Sequence, residues 1–433
     1  MSSASTFSTA ASIVVVIVLA AANPLSGAAA RHGPRRNERA IVASFLRQSY
    51  RPGDTAVVRV FGATSGLRMQ AFSAGPERMH TRRRDVMNGV PVGPQQLLWT
   101  QPDGAEIPVA IGRWSSGLYF LRLSSADGRI GFAPFVVRPE RLGEHRVAVV
   151  LPTQTWEAYN FRDGDGDGVG DTWYATRKIH TARLARPFLD RGVPPHYRHY
   201  DAPFLHWLAR THKQVDFLTD ADLENVDDAK QLAAAYDLIV FSGHHEYVTT
   251  REYNLIERYR NLGGNLMFLF ANDFFWRIAK EGNVMERTAQ WRDLGRPEAG
   301  LIGVQYRGND RGEHKGPWIV RDAAAAPWLF KGTGLRRGSH FGSGGIEIDA
   351  TAPSSPVGTR VLAEIPNLYG RGLTAQMTYY ETSAGAKVFA GGAFNLVESI
   401  LEPDKPVPDP SARGNAEGAR RMLENLWSRL ATP

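Results

Sequence analysis

Gly243-His244-His245-Glu246-Tyr247 places four side chains able to bind a metal or move a proton within five residues. The apolar run Leu238–Phe241 stops just before them. Such a run reads as a buried strand, and a turn at its end aims the alternating His244 and Glu246 outward together. Imidazole and carboxylate are common zinc and iron ligands and also the usual general acid/base pair. A plainer reading has equal weight: His244 as a buried histidine bonded to a loop carbonyl, and Glu246 as a cap for a helix over Thr249–Leu262. His245 reads as a packing or solvent-facing residue. After Gly263-Gly264 a second apolar run, Asn265–Phe270, ends in Asn272-Asp273 and would bring Asn272 to the same sheet edge. In open α/β sheets ligands bind at the carboxyl ends of the strands.

Two further stretches carry chemistry-bearing residues. Thr153-Gln154-Thr155-Trp156-Glu157-Ala158-Tyr159-Asn160-Phe161 follows another apolar run, so Tyr159 opens at that same edge. On residue type alone Tyr159 is a ligand, a hydrogen-bond donor or aromatic packing, and packing is the commonest of the three. Asp163, Asp165, Asp167, Gly168, Val169 and Asp171 then reproduce the first, third, fifth, sixth, seventh and ninth positions of an EF-hand-type calcium loop, with Val169 offering its carbonyl. Tyr174 stands at the twelfth position in place of the bidentate glutamate. A structural Ca2+ site and a flexible acidic turn are both open readings.

Several chemistries are excluded. The chain has no cysteine, hence no disulfide, thiolate ligand or cysteine nucleophile. No G-x-S-x-G elbow and no phosphate-binding P-loop occur, and Gly338-Ser339-His340-Phe341-Gly342 lacks the strand–turn–helix setting of a nucleophilic serine. The net charge is +7, with arginines clustered at Arg31–Arg39 and Arg82–Arg84. No helix carries a continuous basic face, so a solvated basic surface is expected rather than a nucleic-acid partner.

The elements that must position these residues fall into two groups. Short alternating segments at Thr55–Val60, Leu67–Phe72, Glu106–Ile111, Gly117–Leu123 and Gly131–Val137 predict an antiparallel β-sandwich over residues 43–140. From residue 145 to 432, apolar runs at Arg146–Leu151, Gln214–Leu218, Leu238–Phe241, Asn265–Phe270 and Ala386–Ala390 alternate with helix-like segments. That alternation predicts a doubly wound, mostly parallel α/β sheet domain, with a Gly- and Arg-rich insertion beside it around residues 294–376. The fold class is therefore α/β plus all-β. At the N-terminus the ten-residue apolar core Ile13–Ala22 and Ala28-Ala29-Ala30 read as a signal peptide over residues 1–30. Residues 31–42 read as a disordered linker. The expected location is outside the cytoplasm, periplasmic or extracellular, and a retained tether is the alternative to cleavage.

The blocks Ser116-Gly117-Leu118-Tyr119, Thr155–Asn160, Gly243–Tyr247, Gly263-Gly264-Asn265 through Asn272-Asp273 to Trp276, and Gly385–Gly392 together resemble the large (β) subunit of N,N-dimethylformamidase. The resemblance runs from about Tyr50 to Leu430, in scattered short motifs. It implies a sandwich followed by a sheet domain like that of class I glutamine amidotransferases, and hydrolysis of a small amide at a mononuclear Fe3+ held by two tyrosines and a glutamate. Carried over, Tyr119 and Tyr159 would be the phenolate ligands and Glu246 the carboxylate. His244 would serve in acid/base chemistry, Asn272 would be an active-site asparagine, and Glu381 a further carboxylate. Such hard oxygen donors suit ferric iron. With Tyr119 coming from the sandwich, the site would lie between the two domains. The resemblance also implies a small partner subunit, or else a homo-oligomer. The Asp163–Asp171 loop and the export signal depart from the family's pattern, and export points to a different amide or to a member that has drifted in function. The other class of function is an exported, non-catalytic ligand-binding protein of this fold with a calcium-stabilised loop.

Overall fold

The computed structural model describes residues 40–403 and 409–431. The expected signal peptide over 1–30 lies outside the described residues, as does the linker up to residue 39.

The N-terminal strands alternate as their sequences require. Along Thr55–Phe61, Ala56, Val58 and Val60 are buried while Val57 and Arg59 stay partly exposed. This strand lies between Val42–Phe45 and Ala105–Ala110 in a three-stranded antiparallel sheet. A five-stranded sheet faces it, in the order Ser49–Tyr50, Ile130–Val137, Gly117–Ser124, Thr64–Ser73, Val90–Gln101. Inward side chains of both sheets, among them Val58, Met69, Leu121 and Phe135, form one apolar core. Val90–Gln101 was not foreseen, because almost every residue of that edge strand is exposed and its sequence, VPVGPQQLLWTQ, shows no alternation.

Gly117–Ser124 is buried on both faces. Tyr119, Leu121 and Leu123 enter the sandwich core. Leu118 and Phe120 pack into a second core, with Val149, Leu151 and Val240 of the large sheet. One strand thus serves as a wall shared by sandwich and sheet, and its period-two alternation decides which side each residue serves.

The large sheet has eleven strands. Five run parallel, in the order Asp216–Thr219, Val147–Leu151, Leu238–Phe241, Asn265–Phe268, Lys387–Ala390. Both faces are covered: Val147, Val149 and Leu151 join one core, Ala148 and Val150 the other. This explains why these strands read as continuous apolar runs. Beyond Lys387–Ala390 every pairing is antiparallel, through Ala375–Glu381, Arg360–Ile365, Lys315–Val320, His340–Ala350 and Gln305–Asn309. Two expectations are corrected. The segment around 294–376 does not lie beside the sheet but extends it, and the sheet is parallel only over five strands. Hairpin pairing lets these glycine-rich strands join the sheet without crossover helices. A separate four-stranded sheet of Thr181–Arg183, Val284–Gln290, Trp276–Glu281 and Tyr247–Thr249 flanks the strand ends. No helix among the described residues is long and apolar enough to cross a membrane.

Candidate functional site

The parallel order reverses between Val147–Leu151 and Leu238–Phe241, since the second strand in sequence lies outside the first and the third lies inside it. A crevice forms at such a reversal because the two connections leave in opposite directions. Thr153–Ala158 leaves the first strand as a short helix and places Tyr159 at its C-terminal end. Ser242–Glu246 leaves the third strand and is pinned from several sides. The Thr155 hydroxyl accepts from the backbone amides of Glu246 (3.1 Å) and Tyr247 (3.4 Å). Phe274 N–H donates to the His245 carbonyl at 2.7 Å, and Trp276 N–H donates to that of Glu246 at 2.9 Å.

Oxygen atoms converge on Glu246. The Tyr159 hydroxyl donates to Glu246 Oε2 at 2.7 Å, and the Tyr174 hydroxyl lies 3.2 and 3.1 Å from Oε1 and Oε2. Tyr174 OH is 2.9 Å from Tyr159 OH and in short contact with Tyr247 OH. The rings of Tyr159 and Tyr174 stack with centroids 4.5 Å apart. His244 Nε2 stands 3.6 Å from Glu246 Oε2 and 3.7 Å from Glu347 Oε2. His244 Nε2, Glu347 Oε2 and Asn272 Oδ1 are buried with no hydrogen-bond partner. The other Glu347 oxygen accepts from Asn309 at 2.7 Å. Asn272 adopts a left-handed backbone (φ 57°), held by its N–H donating to Asp349 at 2.9 Å. Glu347 and Asp349 alternate on the strand His340–Ala350 and so share a face.

Burial dominates the electrostatics. It raises the Glu246 carboxyl to about 7, against the pull of the three tyrosine hydroxyls, led by Tyr159. Burial, and then the Glu246 charge, drive the phenols of Tyr159 and Tyr247 well above their ordinary value; burial and Glu246 do the same for Tyr174. Glu347 is raised by burial and then by Glu246. His244 is pushed well below the ordinary histidine range, by burial first and then by His245. Left to themselves the carboxyls and phenols keep their protons and His244 takes up none, so all stay neutral; a cation among them would favour carboxylate and phenolate and keep His244 neutral. An octahedral ion with oxygens at about 2.1 Å sets adjacent donors about 3 Å apart. The separations of the Tyr159, Tyr174 and Glu246 oxygens match that spacing, so the donor set fits a hard cation.

Of the residues singled out from sequence, His244, Glu246, Tyr159 and Asn272 come together. Tyr119 does not. It belongs to the half of its strand that faces the sandwich interior, where it stacks on Trp114 and Phe135 and its hydroxyl donates to the Ser115 carbonyl at 2.9 Å. Tyr174 occupies the place expected for a second phenol. Glu381 does not join the site either; it lies exposed at the end of Ala375–Glu381, bonded to Tyr379 and to Arg429 at 3.1 Å. Glu347 is the second carboxylate at His244. In the acidic loop, one carboxylate oxygen from each of Asp163, Asp165 and Asp171 lies within 4.8 Å of the others. Asp167 stays outside that group and accepts from the Val169 amide at 2.7 Å. Sequence reasoning missed Tyr174 and Glu347, and counted Tyr247 among the chemistry-bearing side chains without giving it a role. Tyr174 had shown itself only as the wrong residue at the twelfth position of the acidic loop. The loop closes, with Asp171 N–H donating to the Arg162 carbonyl at 3.0 Å and the Thr172 hydroxyl donating to that of Ala158, and this folds Tyr174 back over Tyr159.

A family model described as N,N-dimethylformamidase beta subunit-like, C-terminal, matches residues 92–406. No curated protein matches the chain. Among solved structures, a superoxide reductase (neelaredoxin) from Ignicoccus hospitalis is 10% identical, over 27% of this chain and 89% of that one, with a TM-score of 0.17. The sporulation control protein Spo0M from Bacillus subtilis is 10% identical, over 23% and 49% of the two chains, with a TM-score of 0.16. Superpositions this poor bear on neither fold nor function.

Proposed function

The chain belongs to the N,N-dimethylformamidase beta subunit-like C-terminal family, and from that premise we propose that it is a metal-dependent hydrolase of small amides. The observation that carries the reading is the convergence of the Tyr159, Tyr174, Tyr247 and Glu246 oxygens beside the unpartnered His244 Nε2 and Glu347 Oε2. Tyr159, Tyr174 and Glu246 would hold a ferric ion, with Tyr247 hydrogen-bonded to them. Bound there, iron supplies Lewis acidity, polarising an amide carbonyl and making water acidic enough to lose a proton near neutrality. His244, kept neutral by burial, is ready to accept that proton at Nε2. Glu347, 3.7 Å away, stabilises the imidazolium that results. His244 then returns the proton to the departing nitrogen, whose expulsion as an anion is otherwise prohibitive. The Asn272 amide, held in place through Asp349, donates to the oxyanion as it develops.

The family's name further suggests a partner subunit, and the order of the parallel strands suits the glutamine amidotransferase-like sheet implied by the resemblance; both belong to the proposal. Metal analysis of the purified protein and a panel of small amides test it. One iron per chain, a tyrosinate-to-Fe(III) visible band and release of amine are expected. Colourless protein that cannot be loaded with iron would sink the reading.

A further inference from the structure

His206, on the helix Ala202–Arg210, is engaged at both ring nitrogens, and its side chain is only 4% exposed. Nε2 lies 2.8 Å from Glu77 Oε1, and Nδ1 lies 2.9 Å from each oxygen of Glu402. Glu77 is itself fixed, because its other oxygen accepts from the Gly75 N–H at 2.6 Å. A second imidazole, His80, stacks on the first with ring centroids 3.6 Å apart and turns Nδ1 to the same Glu402 carboxylate, at 3.2 Å. Glu77 and His80 come from the connection between the sandwich strands Thr64–Ser73 and Val90–Gln101, and Glu402 ends the helix Leu396–Leu401. Three segments far apart in sequence thus meet at one point. One ligand atom from each of His80, His206 and Glu402 lies within 4.8 Å of the others.

An ionised carboxylate only accepts, so the Nε2 that faces Glu77 carries a hydrogen. Nδ1 is then the nitrogen left to face Glu402, and a neutral ring would aim its lone pair at two carboxylate oxygens. Positive charge between them removes the conflict. In the metal-free protein, protons on the two Nδ1 atoms supply it. A divalent cation supplies more, since it answers both carboxylates and leaves both stacked rings uncharged. Ligands of a tetrahedral Zn2+ at about 2.0–2.1 Å stand about 3.3 Å from one another, close to the 2.9 and 3.2 Å found here. Glu77 occupies the place of the carboxylate that receives the other ring N–H of a metal-bound histidine and fixes its orientation.

A separate observation points to the same ligand. Tyr197 is 2% exposed and its hydroxyl has no hydrogen-bond partner. It lines, with His80, His206, Glu77 and Glu402, a cleft of about 360 Å³ that has room for an ion and its water. A buried hydroxyl without a partner calls for an explanation, and a water in the fourth metal position would accept from it. The cleft also holds rival cations. Arg210, one turn after His206, donates to Glu402 Oε1 at 2.8 Å from a half-exposed position, from which it can swing into solvent. Arg78 and Arg82 are exposed, and Arg198 donates to the Arg82 carbonyl at 2.6 Å. Rings stacked at 8° cannot both point at one ion, so loading must tilt His80, whose side chain is one-third exposed.

We propose that His80, His206 and Glu402 form a second metal site, a tetrahedral Zn2+ site completed by water, which pins the sandwich connection to two helices of the sheet domain. It shares no ligand with the oxygen cluster at Glu246 and stands whether or not the protein cleaves amides.

The test titrates Zn2+ calorimetrically into the full-length wild type and into variants. Glu246→Gln and Asp165→Asn remove the proposed iron site and the acidic loop as destinations and should retain one tight Zn2+. His80→Ala, at an exposed position that folding tolerates, and Glu402→Gln should each weaken that binding about a hundredfold. Arg210→Ala takes away the competing cation and should tighten it several-fold, a gain that a purely structural ion-pair network would not show. Zn2+ should also raise the unfolding temperature of the wild type and leave that of His80→Ala where it was. A wild type that takes up no Zn2+, uptake that His80→Ala leaves unchanged, or weaker uptake by Arg210→Ala would overturn the site.

Discussion

Tyr119 and Tyr174 show how a residue's role depends on the direction of one side chain. Both are tyrosines, but Tyr119 donates to the Ser115 carbonyl inside the sandwich and Tyr174 bonds to Glu246. Tyr174→Phe is expected to weaken iron binding by roughly ten- to a hundredfold, as loss of a ligand or its immediate support does, and to diminish the visible tyrosinate band. Tyr119→Phe should leave metal content and band unchanged and cost about 1 kcal/mol of stability for the lost hydrogen bond. Metal titration and visible spectra of the two variants check both statements. Glu347 makes a second case. Its Oε2 lies 3.7 Å from His244 Nε2, so Glu347→Gln removes the carboxylate that would stabilise the imidazolium. The acidic limb of the pH–rate profile should then move to lower pH because protonated His244 forms less readily, while the rate falls about ten- to a hundredfold.

At the scale of elements, the site depends on connections between strands and helices that have no regular pattern of their own. Ser242–Glu246 is neither strand nor helix, and it keeps its shape because Thr155, from the short helix after the neighbouring strand, accepts two of its backbone amides. Thr155→Val keeps the volume and removes the acceptor, leaving two buried N–H groups unpaired. A loss of about 1–3 kcal/mol is expected, read from denaturant unfolding, together with weaker iron binding as Glu246 shifts. An unfolding midpoint equal to that of the wild type would show that other contacts fix this turn.

For the whole molecule, the balance of buried acids sets how stability depends on pH. Burial raises Glu246, Asp349 and Glu157 to about 7 and Asp201 to about 8. The unfolded chain releases these protons near pH 4. Between about pH 4 and pH 8 the folded metal-free protein therefore holds more protons than the unfolded one, and its stability falls as pH rises through that window. His206 acts in the same sense: despite burial, its bonds to Glu402 and Glu77 raise it to about 9, so the stability it contributes below pH 6.5 is lost as pH rises through 9. Metal-free protein is expected to resist denaturant better at pH 5 than at pH 8, and iron-loaded protein should lose less over that interval because the ion displaces the protons. Denaturant titrations across the range check this; a rising profile for the metal-free protein would contradict it.

Features that depend on local pattern are legible along the chain. Alternation in Thr55–Phe61 marks a half-buried strand, the continuous runs at Val147–Leu151 and Leu238–Phe241 mark strands covered on both faces, and the polar residues that end them fall at one sheet edge. For that reason His244, Glu246, Tyr159 and Asn272 could be gathered from the chain alone. Long-range packing sets which side of Gly117–Ser124 faces which core, folds Tyr174 over Tyr159 through the acidic loop, and brings Glu347 on His340–Ala350 to His244 from about a hundred residues away. These depend on the register and packing of segments distant in sequence, and the side-chain pattern of each segment is compatible with more than one partner.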